Sequence, residues 1–365
     1  MGPGVKIWIV AAGTGGHIFP GVFLAREIQK QAPSSEILFF GNKDRMEAQL
    51  IPHWGFQIAF LQSSPFKGLG ALAKMVALFN VVRGFFQVVS YHFKGRPQAI
   101  ISAGGFVSVP VILAGFLFRV PIFLLEPNIR AGFSNRVLSR LARLCFSVPG
   151  SDAPQKMACE VKDWGIPLRE GLPRHVVGSS RKVLILGGSQ GAKTLCDWMC
   201  QIWSQPEILK LADLWQLQCG KSHLEGVKRK LEPLGILGTK VTVHDFIEDV
   251  PRALGWADFV IARAGALSIA ELAVVGVPTL FVPFPFAADN HQQVNAEMLV
   301  NAGAARLALE RGKTPFETFK AELMEFLSMT EQDRVKLSRA FMDWGRPSAG
   351  PRIAEFILSS LGNTG

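Results

Sequence analysis

Residues 6–20 read KIWIVAAGTGGHIFP, an apolar run that leads directly into a glycine-rich turn. Residues 182–194 read KVLILGGSQGAKT and repeat that order, a short apolar run followed by a turn rich in glycine. A buried strand that enters such a turn and continues as a helix is the first part of a βαβ unit. The chain begins this unit twice, so we predict two α/β halves, each with a parallel sheet covered by helices on both faces.

Other apolar runs bounded by turn residues extend both halves. We predict strands at 6–11, 36–41, 99–102, 122–125, 182–186, 215–219, 241–244, 259–262 and 279–283. We predict helices after Gly21, near 44–52, after Pro110, after Ser134 and over 351–361. Gly, Pro, Ser and Arg cluster at 165–180, between the two series of strands. We therefore place a first domain at 1–165, a second at 166–345, and at 346–365 a C-terminal helix that can pack back on the first domain.

The composition is that of a folded globular chain and limits its partners. Of the 365 residues, 48% are hydrophobic and 19% are charged, which excludes a disordered chain and a fibrous repeat. The net charge of +10 predicts an anionic partner: nucleic acid, phospholipid headgroups or a phosphorylated substrate. The five cysteines form no C-x-x-C pair, which argues against a disulfide framework or zinc site and favours a reducing compartment.

The apolar stretches are not predicted to cross a membrane. The N-terminal run ends in a glycine-rich turn without a cleavage site, so we interpret it as a strand rather than a signal peptide. Lys74 and Arg83 interrupt the apolar stretch at 68–90, and glycines, prolines and Arg119 divide the one at 99–125. Because charges in mid-span are costly, we predict no spanning helix.

Both glycine-rich turns are candidate anion sites, because a turn without side chains brings backbone N–H groups close to a ligand. The first lacks the acidic residue that a dinucleotide fold places after the second strand, where Asn42 stands. The second departs from a Walker loop at Ala192, where that loop requires glycine. Phosphate binding and a purely structural turn both stay open. His17 is a candidate general base, or else an N-cap or packed loop histidine.

The stretch 246–296 carries the most candidate binding residues. RAGALSIAE at 263–271 predicts a helix whose first turn, which includes Ser268, offers free N–H groups to a phosphate. Glu271 can accept two hydrogen bonds from a ribose diol, or it is an ordinary helix carboxylate. The amide-rich run DNHQQVNA at 289–296 suits sugar hydroxyls, or it is a solvated helix start.

Six motifs follow one another along the chain. They are GTGGHIFP at 13–20, GGFVSVP at 104–110, EPN at 126–128, GGSQGA at 187–192, RAGALSIAE at 263–271 and HQQVNA at 291–296. In this order and at these distances they closely resemble the MurG family, the UDP-N-acetylglucosamine transferases of glycosyltransferase family 28. The resemblance extends over nearly the whole chain.

The resemblance implies a fold and a reaction. The fold is GT-B, two Rossmann-like parallel-sheet domains that face each other across a cleft, the first for a lipid acceptor and the second for the nucleotide sugar. The implied reaction is inverting transfer of N-acetylglucosamine from UDP-N-acetylglucosamine to the C4 hydroxyl of the muramyl sugar of lipid I, forming lipid II. Alternatives are a GT-B transferase for another lipid such as a diacylglycerol, a UDP-N-acetylglucosamine 2-epimerase, and an inactive homologue that only binds the sugar nucleotide.

The resemblance also implies binding roles, each carried over by its motif. The backbone of Ile247 would contact uracil, Glu271 would contact the ribose, and Arg169 would approach the nucleotide. The other implied positions are Ser189, Ala266, Leu267 and the neighbouring Ser268 for the diphosphate, Gln292 and Asn128 for the transferred sugar, and Thr14, Gly15 and Gly16 for the site between the domains.

Four positions, in or beside three of the motifs, depart from the family pattern. Leu125 and Pro127 stand where the family has His and Gln around Glu126, Phe106 replaces a frequent Tyr, and Ala262 replaces a Ser. Because the family histidine is missing at Leu125, we expect His17 to be the general base, with Glu126 as the alternative.

The pattern of segment 66–96 predicts a surface that binds a membrane. Its apolar residues are interleaved with Lys67, Lys74, Arg83, Lys94 and Arg96, a pattern typical of a helix lying on an anionic leaflet, although a buried helix with charged edges also fits. With a polyprenyl acceptor implied, we expect peripheral binding to anionic phospholipid at the cytoplasmic face of the cell membrane.

Nucleic acid, a metal ion and a cofactor are not expected. The basic residues form no runs and do not alternate with exposed aromatics in a recognisable module, which argues against nucleic acid. No D-x-D motif lies near the turns, so we expect no obligatory metal, and no cofactor besides the substrate UDP-N-acetylglucosamine.

Overall fold

The computed structural model describes residues 4–62, 71–188, 191–287 and 290–362, and for residues 71–74 it describes the backbone alone. These residues form two compact units. Unit 1 comprises the described parts of Met1–Leu168 and Arg346–Gly365, and unit 2 comprises those of Arg169–Gly345.

Unit 1 is a parallel sheet between layers of helices. Its strands are β1 (Lys6–Val10), β2 (Glu36–Gly41), β3 (Gln57–Phe60), β4 (Ala99–Ser102), β5 (Ile122–Glu126), β6 (Leu144–Ser147) and β7 (Glu160–Lys162), in the order β3-β2-β1-β4-β5-β6-β7. Its first helices are α1 (Gly15–Gln31), α2 (Glu47–His53), α3 (Ala71–Lys94), α4 (Ser108–Leu117), α5 (Phe133–Leu138) and α6 (Ala153–Lys156). The strands β4, β5 and β6 are buried along their whole length, because helices cover both faces of the sheet.

Unit 2 repeats this architecture. Its strands are β8 (Lys182–Leu186), β9 (Leu214–Gln218), β10 (Val241–His244), β11 (Phe259–Ala262), β12 (Thr279–Phe281) and β13 (Arg306–Leu307), all parallel, in the order β10-β9-β8-β11-β12-β13. Its helices are α7 (Lys193–Trp203), α8 (Pro206–Leu209), α9 (Leu224–Leu231), α10 (Val250–Trp256), α11 (Ala266–Val275), α12 (His291–Asn301), α13 (Pro315–Leu327) and α14 (Glu331–Trp344). The two sheets confirm the prediction of two parallel α/β halves.

The C-terminal helix α15 (Ala349–Gly362) belongs to unit 1 and packs along α1. Gln31, at the end of α1, donates from Nε2 to the carbonyl oxygen of Pro351 at 3.0 Å. The next residue of α15, Arg352, places its guanidinium 3.8 Å from the centroid of the Trp164 ring. Through these contacts the last helix of the chain packs on unit 1.

Several predicted boundaries were wrong. Helix α1 begins at Gly15 rather than after Gly21, and a Cβ at Gly21 would lie 2.9 Å from Ala11 Cβ, so this glycine serves close packing on β1 instead of marking a helix start. Helix α4 includes Pro110 as its third residue, where a helix still tolerates a missing N–H. Similarly, α15 begins two residues before Pro351.

Four strands were missed, β3, β6, β7 and β13, which have two to four residues each. Such short runs carry little periodic signal, and they extend the sheets only because a neighbouring strand is already in place. The strand β9 begins and ends one residue earlier than predicted, and β12 ends two residues earlier.

Each sheet reverses its strand order once, at β1 and β4 in unit 1 and at β8 and β11 in unit 2. Open parallel sheets bind ligands outside the carboxyl ends of the strands at such a reversal. The glycine-rich segments follow these very strands, so the fold places the candidate residues at the two positions where a ligand is expected. In the described ranges, no helix combines the length and apolar character needed to cross a bilayer.

Candidate functional site

In unit 1 the turn after β1 leads into a helix start that is not capped by a side chain. Gly13 adopts a φ of +105°, a conformation that favours glycine, and Thr14 is the N-cap of α1 without a side-chain cap hydrogen bond. Gly15 and Gly16 form the first helical positions. The first N–H groups of a helix lack intrahelical partners, so this end suits an anionic or hydroxyl-bearing ligand.

Glu47 holds this turn in place and was not predicted. The side chain is fully buried, and its two oxygens accept hydrogen bonds from the Gly13 N–H at 3.2 Å and the Asn42 N–H at 3.0 Å. A Cβ at Gly41 would lie 2.7 Å from Glu47 Cγ, so the carboxylate sits directly against the end of β2. No sequence pattern connects Glu47 with a glycine 34 residues away, which is why sequence reasoning missed it.

His17 is the third residue of α1 and half-buried. Its Nδ1 lies 3.3 Å from Thr14 Oγ1, and a Cβ at Gly104 would lie 3.6 Å from its Cδ2. Gly104 and Gly105 both have positive φ angles in the turn after β4. The structure thus brings the predicted base to the reversal between β1 and β4, next to a second glycine turn.

Glu126, the alternative base, ends β5 and is 1% exposed. Its Oε1 accepts from the backbone N–H and from Nδ2 of Asn128, at 3.1 and 3.2 Å. Its Oε2 accepts from the Gly132 N–H at 2.8 Å and from Asn135 Nδ2 at 2.9 Å. Burial raises the pKa of this carboxyl, and the four hydrogen bonds act in the opposite direction. These contacts hold the loop after β5 and orient the Asn128 amide.

Asn135 was not among the predicted residues. It lies on α5, is buried, and donates from Nδ2 to the Leu125 carbonyl at 3.0 Å as well as to Glu126. Its position nine residues after Glu126 has no motif that sequence reasoning could have used.

In unit 2 the turn after β8 requires glycine. Gly188 and Gly191 have φ angles of +81° and +77°, a Cβ at Gly187 would lie 2.7 Å from the Gln218 carbonyl oxygen, and one at Gly191 would overlap the Cys219 carbonyl. Helix α7 follows with no side-chain cap. Ser189, predicted to contact the diphosphate, lies outside the described residues.

The turn after β11 leads into helix α11, as predicted. Gly265 is the N-cap, the first turn contains no acidic residue, and Ala266, Leu267 and Ser268 are the first three helical positions. Their N–H groups and the positive end of the helix dipole are the features that bind a phosphate group.

Glu271 and Arg169 form an ion pair that sequence reasoning did not foresee. The Nε of Arg169 donates to Oε1 of Glu271 at 2.6 Å, and the Glu271 side chain is 7% exposed. Burial raises the pKa of Glu271, and the Arg169 guanidinium opposes this shift. Oε2 of Glu271 accepts no hydrogen bond from the residues that the structure describes. The pair therefore orients the carboxylate, and among the described residues it leaves one oxygen without a hydrogen bond, as contact with a ligand hydroxyl would require.

Gln292 and Ile247 lie in the segments that follow β12 and β10. Gln292 is in the first turn of α12, and its Oε1 accepts from the Phe284 N–H at 2.9 Å. The Ile247 side chain is buried in a core cluster with Leu254 and Ala253. Its side chain is thus occupied by packing, which fits a contact through its backbone.

A surface of α3 and α4 is apolar and exposed. Its members, which we call the α3/α4 patch, are Met75, Val76, Leu78, Phe79, Val82, Phe86, Phe93, Leu113, Phe116 and Leu117. Arg83 and Lys94 of α3, and Arg96 and Arg119 shortly after the two helices, are also exposed. Residues 66–70 of the predicted membrane segment, including Lys67, lie outside the described ranges, as does the side chain of Lys74. An exposed apolar area rimmed by basic groups is typical of a surface that meets anionic lipid.

Among the described side chains, no three His, Cys, Asp or Glu residues group together in a way that could hold a metal ion.

Comparison with known proteins covers both units. Residues 7–147 match the Glycosyltransferase family 28 N-terminal domain, and residues 182–340 match the Glycosyltransferase family 28 C-terminal domain. A relative from Shewanella sp. (strain ANA-3), named UDP-N-acetylglucosamine--N-acetylmuramyl-(pentapeptide) pyrophosphoryl-undecaprenol N-acetylglucosamine transferase, is 38% identical over 83% of this chain and 84% of its own. A relative of the same name from Anaeromyxobacter sp. (strain Fw109-5) is 36% identical over 96% and 92%.

Solved structures agree with these relatives. The crystal structure of Acinetobacter baumannii MurG is similar with a TM-score of 0.76 and 28% identity, over 97% of this chain and 99% of that one. A solved UDP-N-acetylglucosamine 2-epimerase has a TM-score of 0.65 at 17% identity, over 99% and 97% of the two chains, and at that identity the likeness concerns the fold alone.

Proposed function

Because the chain belongs to glycosyltransferase family 28, we propose that it transfers N-acetylglucosamine from UDP-N-acetylglucosamine to the muramyl sugar of lipid I, which forms lipid II for peptidoglycan synthesis. The chain is a glycosyltransferase with two Rossmann-like domains, as predicted. The observation that carries the proposal is the identity of 36–38%, over most of the chain, with relatives named for this transfer.

The donor occupies unit 2 in this proposal. Oε2 of Glu271, which accepts no hydrogen bond from the described residues, accepts from a ribose hydroxyl, while Arg169 orients the carboxylate. The uncapped start of α11 and the turn at Ser189 receive the diphosphate. The backbone at Ile247 contacts the uracil, and the amide of Gln292 contacts the transferred sugar. The contacts described above support the roles of Glu271, Ile247 and Gln292, whereas Ser189 lies outside the described residues.

Unit 1 receives the acceptor and supplies the base. The uncapped helix start at Thr14, Gly15 and Gly16 binds the acceptor, and Asn128 helps Gln292 to hold the transferred sugar. His17 takes the proton of the acceptor C4 hydroxyl. The buried Glu126 carboxylate, which already accepts four hydrogen bonds, holds the loop of Asn128 instead of acting as the base.

The proposed step is an inverting displacement. The acceptor C4 oxygen forms a bond to the anomeric carbon of N-acetylglucosamine as the bond from that carbon to the UDP oxygen breaks. The proton goes to His17, and UDP leaves as the diphosphate anion. Backbone N–H groups at the start of α11 stabilise the charge that develops on the leaving group. Since no D-x-D motif lies near these loops, we propose that the reaction needs no metal ion.

We also propose that the protein lies on the cytoplasmic face of the cell membrane through the α3/α4 patch. Phe79 and Phe86 are about two-thirds exposed there, at 66% and 65%. Apolar side chains of this size enter the lipid interface, and each nearby basic residue adds about 1 kcal/mol on an anionic leaflet. A lipid-linked acceptor would be reached from this position.

The enzymatic proposal is tested by UDP release from UDP-N-acetylglucosamine, with and without a short-chain lipid I analogue, in the presence of EDTA. We expect release only with the acceptor, together with a disaccharide-lipid product. Release without an acceptor would favour hydrolysis or epimerisation, and tight donor binding without any release would mean an inactive homologue.

The membrane proposal is tested by sedimentation with vesicles of phosphatidylglycerol or phosphatidylcholine. Phe86→Glu is expected to weaken binding to phosphatidylglycerol vesicles about tenfold. A phenyl ring that would enter the lipid interface is replaced by a negative charge, which the anionic lipid repels. Val176→Glu changes an exposed apolar residue of unit 2 and serves as the control. The proposal would be contradicted if both variants lost vesicle binding to the same extent, or if the wild type bound equally to both lipids.

A further inference from the structure

One guanidinium holds the loop that follows β12. Arg263 Nη1 donates to the carbonyl oxygens of Val282 at 2.9 Å and Pro283 at 3.3 Å, and it pairs with Glu310 Oε2 at 2.5 Å. The guanidinium carbon also lies 5.7 Å from the centroid of the Phe284 ring. Arg263 directly follows β11 and Glu310 follows β13, so this one side chain connects the carboxyl ends of three adjacent strands.

The pair is buried and its charges are matched inside the protein. The side chains of Arg263 and Glu310 are 11% and 9% exposed. Removing either partner would leave the other charge buried without its counter-charge, so the two residues depend on each other. Because Glu310 compensates the charge of Arg263, this arginine is suited to holding the loop and not to attracting the donor diphosphate.

The loop in turn sets the orientation of a binding side chain. The Phe284 N–H donates to Gln292 Oε1 at 2.9 Å. Since the amide oxygen is engaged by the loop backbone, the Nε2 group of Gln292 presents its N–H donors on the opposite side of the amide. A shift of the loop would therefore turn the Gln292 amide away from its present orientation.

We infer that Arg263 and Glu310 are positioning residues of the donor site, which fix the loop at 282–284 so that the Gln292 amide donates to a hydroxyl of the transferred sugar. The inference rests on the proposed function, since Gln292 meets a sugar only if the chain binds a UDP-sugar. Neither Arg263 nor Glu310 touches the substrate, and both act through Phe284.

The test compares the affinities of UDP-N-acetylglucosamine and of UDP, measured by calorimetry on the full chain. Arg263→Lys keeps the charge but not the planar fork, and Glu310→Gln keeps the shape but not the charge. Each is expected to weaken UDP-N-acetylglucosamine binding about tenfold, the effect of losing one well-oriented hydrogen bond, and to leave UDP binding within about twofold. UDP has no sugar to meet Gln292, so it does not depend on the loop.

A second comparison asks whether the effect passes through Gln292. Gln292→Ala alone is expected to show the same selective loss, and adding it to Glu310→Gln should cause little further loss, because both changes remove the same contact. As a matched control, Glu325→Gln alters the exposed pair Arg306–Glu325, which also starts from β13, and should change neither affinity.

Three results would overturn the inference. These are equal loss of UDP and UDP-N-acetylglucosamine binding in the Arg263 and Glu310 variants, unchanged binding of both ligands, or fully additive losses with Gln292→Ala. If the wild-type protein binds neither UDP nor UDP-N-acetylglucosamine, both the proposed function and this inference fail. Normal wild-type binding and turnover combined with any of the three results would refute the positioning role alone.

Discussion

At the scale of single residues, the two candidate bases differ in their surroundings. His17 is half-buried beside two glycine turns, whereas Glu126 is buried and accepts four hydrogen bonds. We expect His17→Ala to lower kcat by about 10² to 10⁴-fold with little change in the KM for either substrate, since a general base contributes on this order.

Glu126→Gln is the matched comparison. An amide nitrogen would meet a donor, the Gly132 N–H or Asn135 Nδ2, so the loop of Asn128 should shift and raise the KM for UDP-N-acetylglucosamine more than it lowers kcat. Steady-state kinetics with the lipid I analogue measure both constants. A large kcat loss in the Glu126 variant and near-normal turnover of His17→Ala would reverse the assignment of the base.

His175 predicts a pH dependence of stability. Its Nε2 is buried without a partner among the described residues, and its backbone N–H donates to the Val275 carbonyl. Burial lowers the pKa of His175 from 6.5, with Arg334 acting in the same direction and Asp258 opposing. The folded state therefore favours the neutral imidazole, while the unfolded chain takes up a proton near pH 6.5.

The stability contributed by the neutral His175 is present above pH 6.5 and is lost as the pH falls below this value toward the lower pKa of the folded state. We expect the free energy of unfolding of wild type to fall faster than that of His175→Gln between about pH 7 and pH 5.5. Urea unfolding at several pH values measures this difference, with His53→Gln, an exposed histidine of α2, as the control. If the free energy of unfolding depended on pH in the same way for wild type and His175→Gln, this prediction would be refuted.

At the scale of elements, the turn between β8 and α7 depends on a backbone conformation. Gly191→Ala places a Cβ on the Cys219 carbonyl at a φ of +77°, so we expect a loss of about 1–3 kcal/mol or more in stability and weaker UDP binding. Gly226→Ala is the control, because a Cβ there has nothing within 4 Å and alanine should stabilise α9 by about 0.5–1 kcal/mol. Urea unfolding and UDP titration of both variants measure this, and equal effects would be contrary to the expectation.

At the scale of the whole molecule, each unit has its own sheet and its own buried clusters. The groups proposed to bind the UDP part of the donor, including Glu271, Ala266 and Leu267, belong to unit 2. A ligand stabilises the part of a protein that it binds by about 2.7 kcal/mol at a concentration of 100 Kd. We therefore expect UDP to slow amide hydrogen exchange in β8, β11 and α11, with the sheet of unit 1 as an internal reference. Equal protection of both sheets would mean that UDP contacts are not confined to unit 2.

The sequence by itself determined the fold class, the glycosyltransferase family and most of the strands. The strands β2, β4, β8, β10 and β11 begin and end where they were predicted. They were recognisable because a buried parallel strand is a continuous apolar run that ends in turn residues, a signal contained in consecutive positions. The glycine turns after β1 and β8 were recognisable for the same reason.

Only the tertiary structure decided which side chains meet. Arg169 pairs with Glu271 across 102 residues of sequence, Arg263 with Glu310 across 47, and the Gly13 N–H with Glu47 across 34. Local spacing carries no information about such partners, because parallel strands that are distant in sequence become neighbours only when the sheet forms. The roles that these pairs support, holding a turn, a carboxylate and a loop, are therefore properties of the sheet ends and not of any single motif.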